Sequence, residues 1–146
     1  MSDTIVVGTD GSDTAQQAVA EAVRLAKALD AELHVVTAFE PVRGARLGGA
    51  PEGVTKFYGP LTNDLARSTI DDAAARIRAA GVTVEEHMVQ KGAADALLDV
   101  AKDVGASMIV VGSQGMSGAR RILGSVPNKV SHEATCNVLI VATQKS

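Results

Sequence analysis

The sequence predicts one doubly wound α/β domain, in which helices cover both faces of a five-stranded parallel sheet. Its 146 residues are the length of a single ordinary domain and can bury a substantial core. Short runs rich in Val and Ile alternate with longer segments of helical periodicity. Most of these runs are apolar throughout, as parallel strands covered on both sides are. Only 2% of the residues are aromatic, so the core must be aliphatic.

The first half of the chain begins with a buried strand at 4–7 (TIVV), which the turn residues GTDGS end. Ser12 is placed to cap the helix that follows. A second strand is predicted at 32–38 (ELHVVTA). The apolar residues of the first helix recur on one face: Ala15, Ala18, Val19, Ala22, Leu25, Ala26 and Leu29.

The second half continues the alternation. A helix is predicted at 61–80, followed by a strand at 82–89 whose alternating apolar and polar residues are typical of a half-exposed edge strand. Right-handed crossovers leave few ways to wind these elements, and we expect the whole of 1–146 to form one Rossmann-like domain. The inward face of the helix at 61–80 consists of Leu65, Ile70, Ala73, Ala74 and Ile77. The remaining elements are a helix at 94–104, a strand at 108–111, a helix at 125–134 and a strand at 137–142.

The segment 41–60 fits no helix or strand, because it holds five glycines and three prolines without periodicity. Loops of this length in compact domains are commonly lids over ligands or flexible surface segments. The sequence leaves both alternatives open.

Composition excludes several classes of protein. A net charge of −3 and the shortage of aromatic residues argue against a nucleic-acid binder. No apolar run approaches the ~20 residues of a membrane span, and the N-terminus lacks the features of a signal peptide. Cys136 is the one cysteine, so no disulfide and no zinc spacing can be drawn. We therefore expect a protein of a reducing cytoplasm, bound to neither nucleic acid nor membrane.

Two glycine-rich loops directly follow buried strands, GTDG at 8–11 and GSQG at 112–115. Ligands of open parallel sheets bind beyond the carboxyl ends of the strands, where the winding reverses. If these two strands are neighbours at that point, both loops face one crevice. Asp10 then either contacts a ligand or caps a turn.

A phosphate site is predicted at the helix that begins near Gly124. Ser125 is a natural N-cap, and the N–H groups of Ser125, Val126 and Asn128 are available to an anion. Pro127 lacks an N–H but is tolerated early in a helix. Neither loop is a Walker A motif or a dinucleotide fingerprint. Three basic residues nearby in sequence add positive charge: Arg120, Arg121 and Lys129.

Over nearly its whole length the chain resembles the universal stress protein family. The matching segments are IVVGTDGS, ELHVV, KGAADALLDVAKDVGASMIVVGSQG and LGSVPNKVSHEATCNVLIV. The nucleotide-binding branch of that family carries Gly-x2-Gly-x9-Gly-[Ser/Thr]. Gly112, Gly115 and the pair Gly124-Ser125 match it, although eight residues rather than nine separate Gly115 from Gly124.

The resemblance implies an adenine nucleotide as ligand: ATP, with Mg²⁺, or ADP, AMP or cyclic AMP. It implies that Asp10 accepts hydrogen bonds from the ribose or adenine, with Gly8 and Thr9 on the same wall. It places Val35 and Val111 beside the adenine. The glycines Gly112, Gly115 and Gly124 would let the backbone approach the ribose and phosphates, and Ser125 and Val126 would hold phosphate oxygens.

The residues leave the choice between a binding module and an enzyme open. A hydrolase needs a base or metal ligand aimed at the phosphate, and Asp10 has no second carboxylate beside it in either loop. We expect a regulatory or stress-adaptation module that binds nucleotide, with slow nucleotide hydrolysis at the same site as the alternative. A receiver domain would need an acidic cluster after the first strand and a lysine after the last, which this sequence lacks.

The remaining expectations concern residues outside the glycine loops. His34 is interpreted as a satisfied core or edge residue, His87 and His132 as surface residues, and Cys136 as inert packing. No catalytic residue and no metal ligand is assigned from the sequence. The apolar strand at 137–142 carries no charge or proline, so we expect it to join two chains as a homodimer, which the resemblance also implies.

Overall fold

The computed structural model describes residues 3–39, 63–113 and 123–143. The predicted elements are all present, and their ends differ from the prediction by a residue or two. The segment 41–60 lies outside the described residues. In chain order the elements are β1 (Thr4–Gly8), α1 (Asp13–Leu29), β2 (Glu32–Ala38), α2 (Asn63–Ala79), β3 (Val84–Val89), α3 (Ala93–Val104), β4 (Met108–Gly112), α4 (Ser125–Glu133) and β5 (Asn137–Val141).

The five strands form one parallel sheet in the order β3-β2-β1-β4-β5. The chain winds outward from β1 through β2 to β3, then crosses back to β4 beside β1 and ends at β5. The winding therefore reverses between β1 and β4, as the predicted doubly wound fold requires. The strand predicted to lie at an edge, β3, does so, and β5 lies at the other edge.

Two aliphatic cores lie on opposite faces of the sheet, because successive side chains of a strand point to opposite sides. Ile5 and Val7 of β1 face α1 and α2, while Val6 between them faces α3 and α4. All three are fully buried, and burying a side chain of this size contributes about 1.5–3 kcal/mol. β1 thus anchors both cores from the centre of the sheet.

The helices are amphipathic and present their apolar sides to the sheet. In α1, the Oγ of Ser12 accepts a hydrogen bond from the N–H of Ala15 at 3.2 Å, which confirms the predicted N-cap. The helix ends where Asp30 adopts the left-handed conformation. Of the helices in residues 3–39, 63–113 and 123–143, none is long and apolar enough to cross a membrane.

Two leucines predicted to face the core are exposed instead. Leu29, 44% exposed, is the last residue of α1 and lies where the helix turns away at Asp30. Leu65 is 51% exposed because the buried face of α2 runs through its neighbour Ala66 and on to Ile70. Adjacent helical residues differ in direction by about 100°, so only one of the two can face the sheet.

Candidate functional site

The candidate site lies at the carboxyl ends of β1 and β4, which are neighbours at the reversal of winding. The turn Thr9–Ser12 leaves β1 there and leads into α1. Ser113 follows β4 at the same edge. The next described residue is Leu123, and α4 begins shortly after it. The two strands that the glycine loops follow are therefore neighbours, which was the condition for both loops to face one crevice.

Thr9 is buried and fastens the turn after β1 to β2. Its N–H donates to the carbonyl of Val36 at 2.9 Å, and its own carbonyl accepts from the hydroxyl of Thr37 at 3.0 Å. Its Oγ1 accepts from the N–H of Gly11 at 3.1 Å, where a φ of 86° favours glycine. The conformation of this turn is thus fixed by hydrogen bonds from two directions.

Asp10 is exposed at the tip of the turn. Its Oδ1 accepts a hydrogen bond from the N–H of Ser12 at 2.9 Å, so it closes the turn that precedes α1. An ionised carboxylate offers about four acceptor positions, and this contact uses one of them. Asp10 can therefore serve the turn and still accept hydrogen bonds from a ligand.

The glycines at the ends of β1 and β4 make room for side chains of the protein itself. A Cβ on Gly8 would lie 3.1 Å from Cδ2 of Leu97 in α3. A Cβ on Gly112 would lie 3.1 Å from Cγ2 of Thr143, just after β5. Both distances are tighter than most Cβ contacts, so close packing of neighbouring elements favours glycine at both positions.

Ser113 connects three elements at this edge of the sheet. Its N–H donates to the carbonyl of Val141 at 2.8 Å, and its Oγ accepts from the N–H of Thr143 at 3.1 Å. Its carbonyl accepts from the N–H of Gly124 at 2.9 Å. These bonds hold the start of α4 against the ends of β4 and β5. No role could be assigned to Ser113 from the sequence, because these partners are distant along the chain.

The start of α4 differs from the prediction in two respects. Gly124, in extended conformation, is the N-cap, and Ser125 is the first helical residue. The N–H of Asn128 was predicted to be available to an anion, but it donates to the carbonyl of Gly124 at 3.1 Å. Because Pro127 has no N–H, the first-turn donors without an intrahelical acceptor are those of Ser125 and Val126. Val126 is half-buried beside the core under α4.

One of the three basic residues expected to add positive charge around α4, Lys129, forms an ion pair with α3. The Nζ of Lys129 lies 2.9 Å from a carboxylate oxygen of Asp95 in α3, and this contact raises the pKa of Lys129. Both groups are exposed, so the ion pair contributes little to stability. Arg120 and Arg121 lie outside the described residues.

A cleft of about 410 Å³ opens beside the β1 turn, between α1 and α2. Thr9 and Gly11 border one end of it, and apolar side chains such as Val19 and Val23 form its floor. Gln16, Asp72 and Arg76 stand at its rim, where Arg76 donates to the amide oxygen of Gln16 at 3.0 Å. The cleft lies on the side of the sheet opposite to α4, so it extends the site away from the predicted phosphate position.

Comparison with known proteins identifies the family. The model of the universal stress protein family matches residues 1–142. A universal stress protein of Mycobacterium tuberculosis is 38% identical over 143 residues, which cover 96% of each chain. The chain belongs to the universal stress protein family. The protein YxiE of Bacillus subtilis, of the same family, is 35% identical, with 94% of this chain and 97% of that one covered.

A solved structure supports the same conclusion. The crystal structure of a universal stress protein in complex with cAMP superposes with a TM-score of 0.73 and is 34% identical, with 97% of each chain covered. The agreement extends over the whole doubly wound sheet. The resemblance noted from the motifs is therefore confirmed as membership in the family.

Val35, which the resemblance implies offers backbone groups to the adenine, belongs to β2. Val35 is fully buried in the middle of β2, paired with Val7 on one side and Glu86 on the other. Its backbone is part of the sheet, and Val35 lies three positions before the last residue of the strand. Ala38, half-buried, is the last residue of β2. A match of the motif ELHVV fixes the strand but not the residue that reaches its edge.

The other predicted residues are distributed as follows. Val111, buried, is one residue from the end of β4, and Gly115 lies outside the described residues, as does the shortened spacing to Gly124. Those that the structure brings to one edge are Gly8, Thr9, Asp10, Val111, Gly112, Gly124, Ser125 and Val126.

Two residues outside the site also bear on the predictions. His87 is half-buried rather than on the surface, because its ring meets that of the buried His34. Burial, followed by the effect of His34, lowers the pKa of His87. Cys136 is half-buried beside the core under α4, and burial raises the pKa of its thiol, consistent with packing rather than reactivity.

The hydroxyl of Thr37 should hold the turn after β1 in place. Thr37→Val keeps the shape of the fully buried side chain but leaves the Thr9 carbonyl without its donor. We expect a loss of about 1–3 kcal/mol in the free energy of unfolding, measured in urea, and faster amide exchange at Gly11. Thr37→Ser keeps the hydroxyl and should leave exchange at Gly11 unchanged. Equal exchange rates in both variants would show that this bond does not fix the turn.

Proposed function

We propose that this universal stress protein binds an adenine nucleotide at the carboxyl ends of β1 and β4 and acts as a regulatory module. The observation that carries the proposal is the attachment of α4 to that edge. The hydrogen bond from Gly124 to Ser113 brings a helix N-terminus beside the turn that holds Asp10. Its relative of known structure, 34% identical over almost the whole chain, was crystallised in complex with cAMP.

The first turn of α4 would take the phosphate. The N–H groups of Ser125 and Val126 have no acceptor within the helix, and the helix dipole adds about half a positive charge at this end. The N-cap Gly124 has no side chain to occupy these donors. The absence of an acidic residue in the first turn of α4 also favours an anion there.

The turn after β1 would contact the ribose or the adenine. Asp10 is exposed and retains acceptor capacity for hydroxyl or amino groups. Thr9 and Thr37 hold the turn beneath it, so its position is preorganised. Ala38 at the end of β2 would replace Val35 as the neighbour of the base. Cyclic AMP and AMP are the first nucleotides to test, with ATP and Mg²⁺ as the larger alternative.

The phosphate position can be tested with Gly124→Asp. Asp is a good N-cap, so the helix should persist, but the new carboxylate competes for the N–H of Val126 and repels phosphate. We expect calorimetry to show at least a tenfold loss of affinity for cyclic AMP or AMP, which is about 1.4 kcal/mol.

Ser131→Asp is the matched control, because it adds the same charge to an exposed position later in α4. Its affinity should equal that of the native protein. Unchanged binding in Gly124→Asp would place the phosphate elsewhere, and a native protein that binds no adenine nucleotide would refute the proposal.

The site should hold a nucleotide far better than it hydrolyses one. Asp10 already closes a turn through one carboxylate oxygen, and no second carboxylate accompanies it in Thr9–Ser12. With ATP and Mg²⁺, steady-state phosphate release should stay well below the ~1 s⁻¹ of slow ordinary enzymes. A rate of that size, lost in Asp10→Asn but retained in Asp13→Asn, would favour the alternative of a nucleotide hydrolase.

We further propose that β5 joins two copies of the chain. Within the described residues β5 pairs with a strand on one side only, β4. The apolar side chains of Val138–Val141 pack partly against both cores, so the feature that invites pairing is the backbone of this edge. A second copy related by a two-fold axis would supply an antiparallel partner.

The substitution Ile140→Pro tests whether the free side of β5 pairs with a second chain. The carbonyl of Val141 accepts from Ser113 within the sheet, so the N–H of the preceding residue, Ile140, points away from β4. Ile140→Pro should keep the fold, which circular dichroism checks, and shift the protein from dimer to monomer in sedimentation at micromolar concentration. Ile140→Thr also shortens the side chain but keeps the N–H, so it should remain dimeric. A monomeric native protein would contradict the dimer.

A further inference from the structure

A cluster of two histidines and two glutamates lies at the β2–β3 side of the sheet, apart from the candidate nucleotide site. We propose that His34, Glu85 and His87 bind a divalent transition-metal ion of the Zn²⁺ type. Glu32 orients one of the ligands. The proposal goes beyond nucleotide binding and does not depend on it.

The register of the two strands brings these side chains together. His34 of β2 is paired with Glu85 of β3, and Val36 with His87. Alternate residues of a strand point to the same face, so Glu85 and His87 stand beside His34 on one side of the sheet. Val36 and Val6 on this side pack under α3. The cluster therefore replaces apolar residues at the edge of the core that α3 covers.

The two imidazole rings meet through their nitrogens. Nδ1 of His34 and Nε2 of His87 are 2.8 Å apart, and the ring centroids are 5.0 Å apart. One ligand atom from each of the two histidines and Glu85 lie within 4.8 Å of one another. Tetrahedral zinc with bonds of about 2.0–2.1 Å holds its ligand atoms about 3.3 Å apart. The nitrogens would thus separate by about 0.5 Å, which the half-buried ring of His87 can accommodate.

Glu32 fixes the tautomer that a metal requires. Nε2 of His34 lies 3.0 Å from a carboxylate oxygen of Glu32. An ionised carboxylate only accepts hydrogen bonds, so Nε2 carries the hydrogen and Nδ1 presents a lone pair toward His87. A carboxylate on the far nitrogen of a ligating histidine is the arrangement that metal sites favour. The hydrogen between the two rings is therefore on Nε2 of His87; on binding, the ion takes its place and the hydrogen moves through solvent to Nδ1 of the same ring.

The donor set selects the class of ion. Imidazole nitrogens suit zinc and the neighbouring transition metals, whereas Mg²⁺ and Ca²⁺ prefer oxygen donors alone. His34 is only 4% exposed and would be held rigidly, while Glu85 is exposed and opens the site to solvent. Three protein ligands and an open side leave a fourth position for water.

The two histidines form no metal-binding motif in the sequence, because they are far apart along the chain. His34 and His87 are 53 residues apart, on strands that become neighbours only in the sheet. Each taken alone is a solitary histidine within a strand. Only the pairing of β2 with β3 makes them a cluster.

The test is a titration of the full, untagged chain with Zn²⁺ against a competing chromophoric chelator. We expect one ion per chain, and at least a tenfold loss of affinity in His87→Gln and in Glu85→Gln, since even residues that only support ligands contribute about that much. His87 and Glu85 are the informative positions because neither is fully buried, so their variants should fold.

Two control variants distinguish this site from incidental binding. His132→Gln removes the exposed histidine of α4, whose Nδ1 lies 2.7 Å from the carbonyl of Asn128, and Cys136→Ser removes the thiol. Both should bind Zn²⁺ as the native protein does. In nitrogen-15 spectra, Zn²⁺ should shift the ring signals of His34 and His87 but not those of His132. The absence of uptake by the native protein, or undiminished affinity in His87→Gln, would overturn the proposal.

Discussion

The structure depends on the burial of β1 at the centre of a sheet that is covered on both faces. Ile5, Val6 and Val7 are fully buried, and their alternation assigns them to two separate cores. A strand so placed cannot shift by one residue without exchanging the partners of every side chain. Since the winding reverses beside it, the same constraint that stabilises the fold also fixes where the turn after β1 meets the end of β4.

Backbone and hydroxyl hydrogen bonds hold the segments that follow β1 and β4 at this edge of the sheet. Thr9 and Thr37 hold the β1 turn against β2, and Ser113 holds α4 and β5 against β4. The glycines that end both strands let Leu97 and Thr143 pack closely behind them. The site is therefore built mainly from main-chain groups on rigid supports, with Asp10 as the exposed carboxylate at its tip.

A second group of polar residues, around His34, lies on the face of the sheet that α3 covers. His34 lies in a strand where apolar residues precede and follow it, and it is accommodated because Glu32 and His87 supply partners to both ring nitrogens. A buried polar group without partners would cost about 1–3 kcal/mol, so such a group persists only in a complete network. The two regions share β2, whose end holds the turn after β1 while His34 near its start belongs to the histidine cluster.

The sequence by itself determined the order and type of the elements, the aliphatic core and the edge positions of β3 and β5. Periodicity and turn residues are local, so they can be recognised without knowing the partners. The tertiary structure alone decided two details of position: Gly124 rather than Ser125 is the N-cap of α4, and Ala66 rather than Leu65 faces the core. It also created the contact between His34 and His87. Register and rotation depend on contacts between distant segments, and a shift of one residue is enough to turn a side chain from the core to solvent.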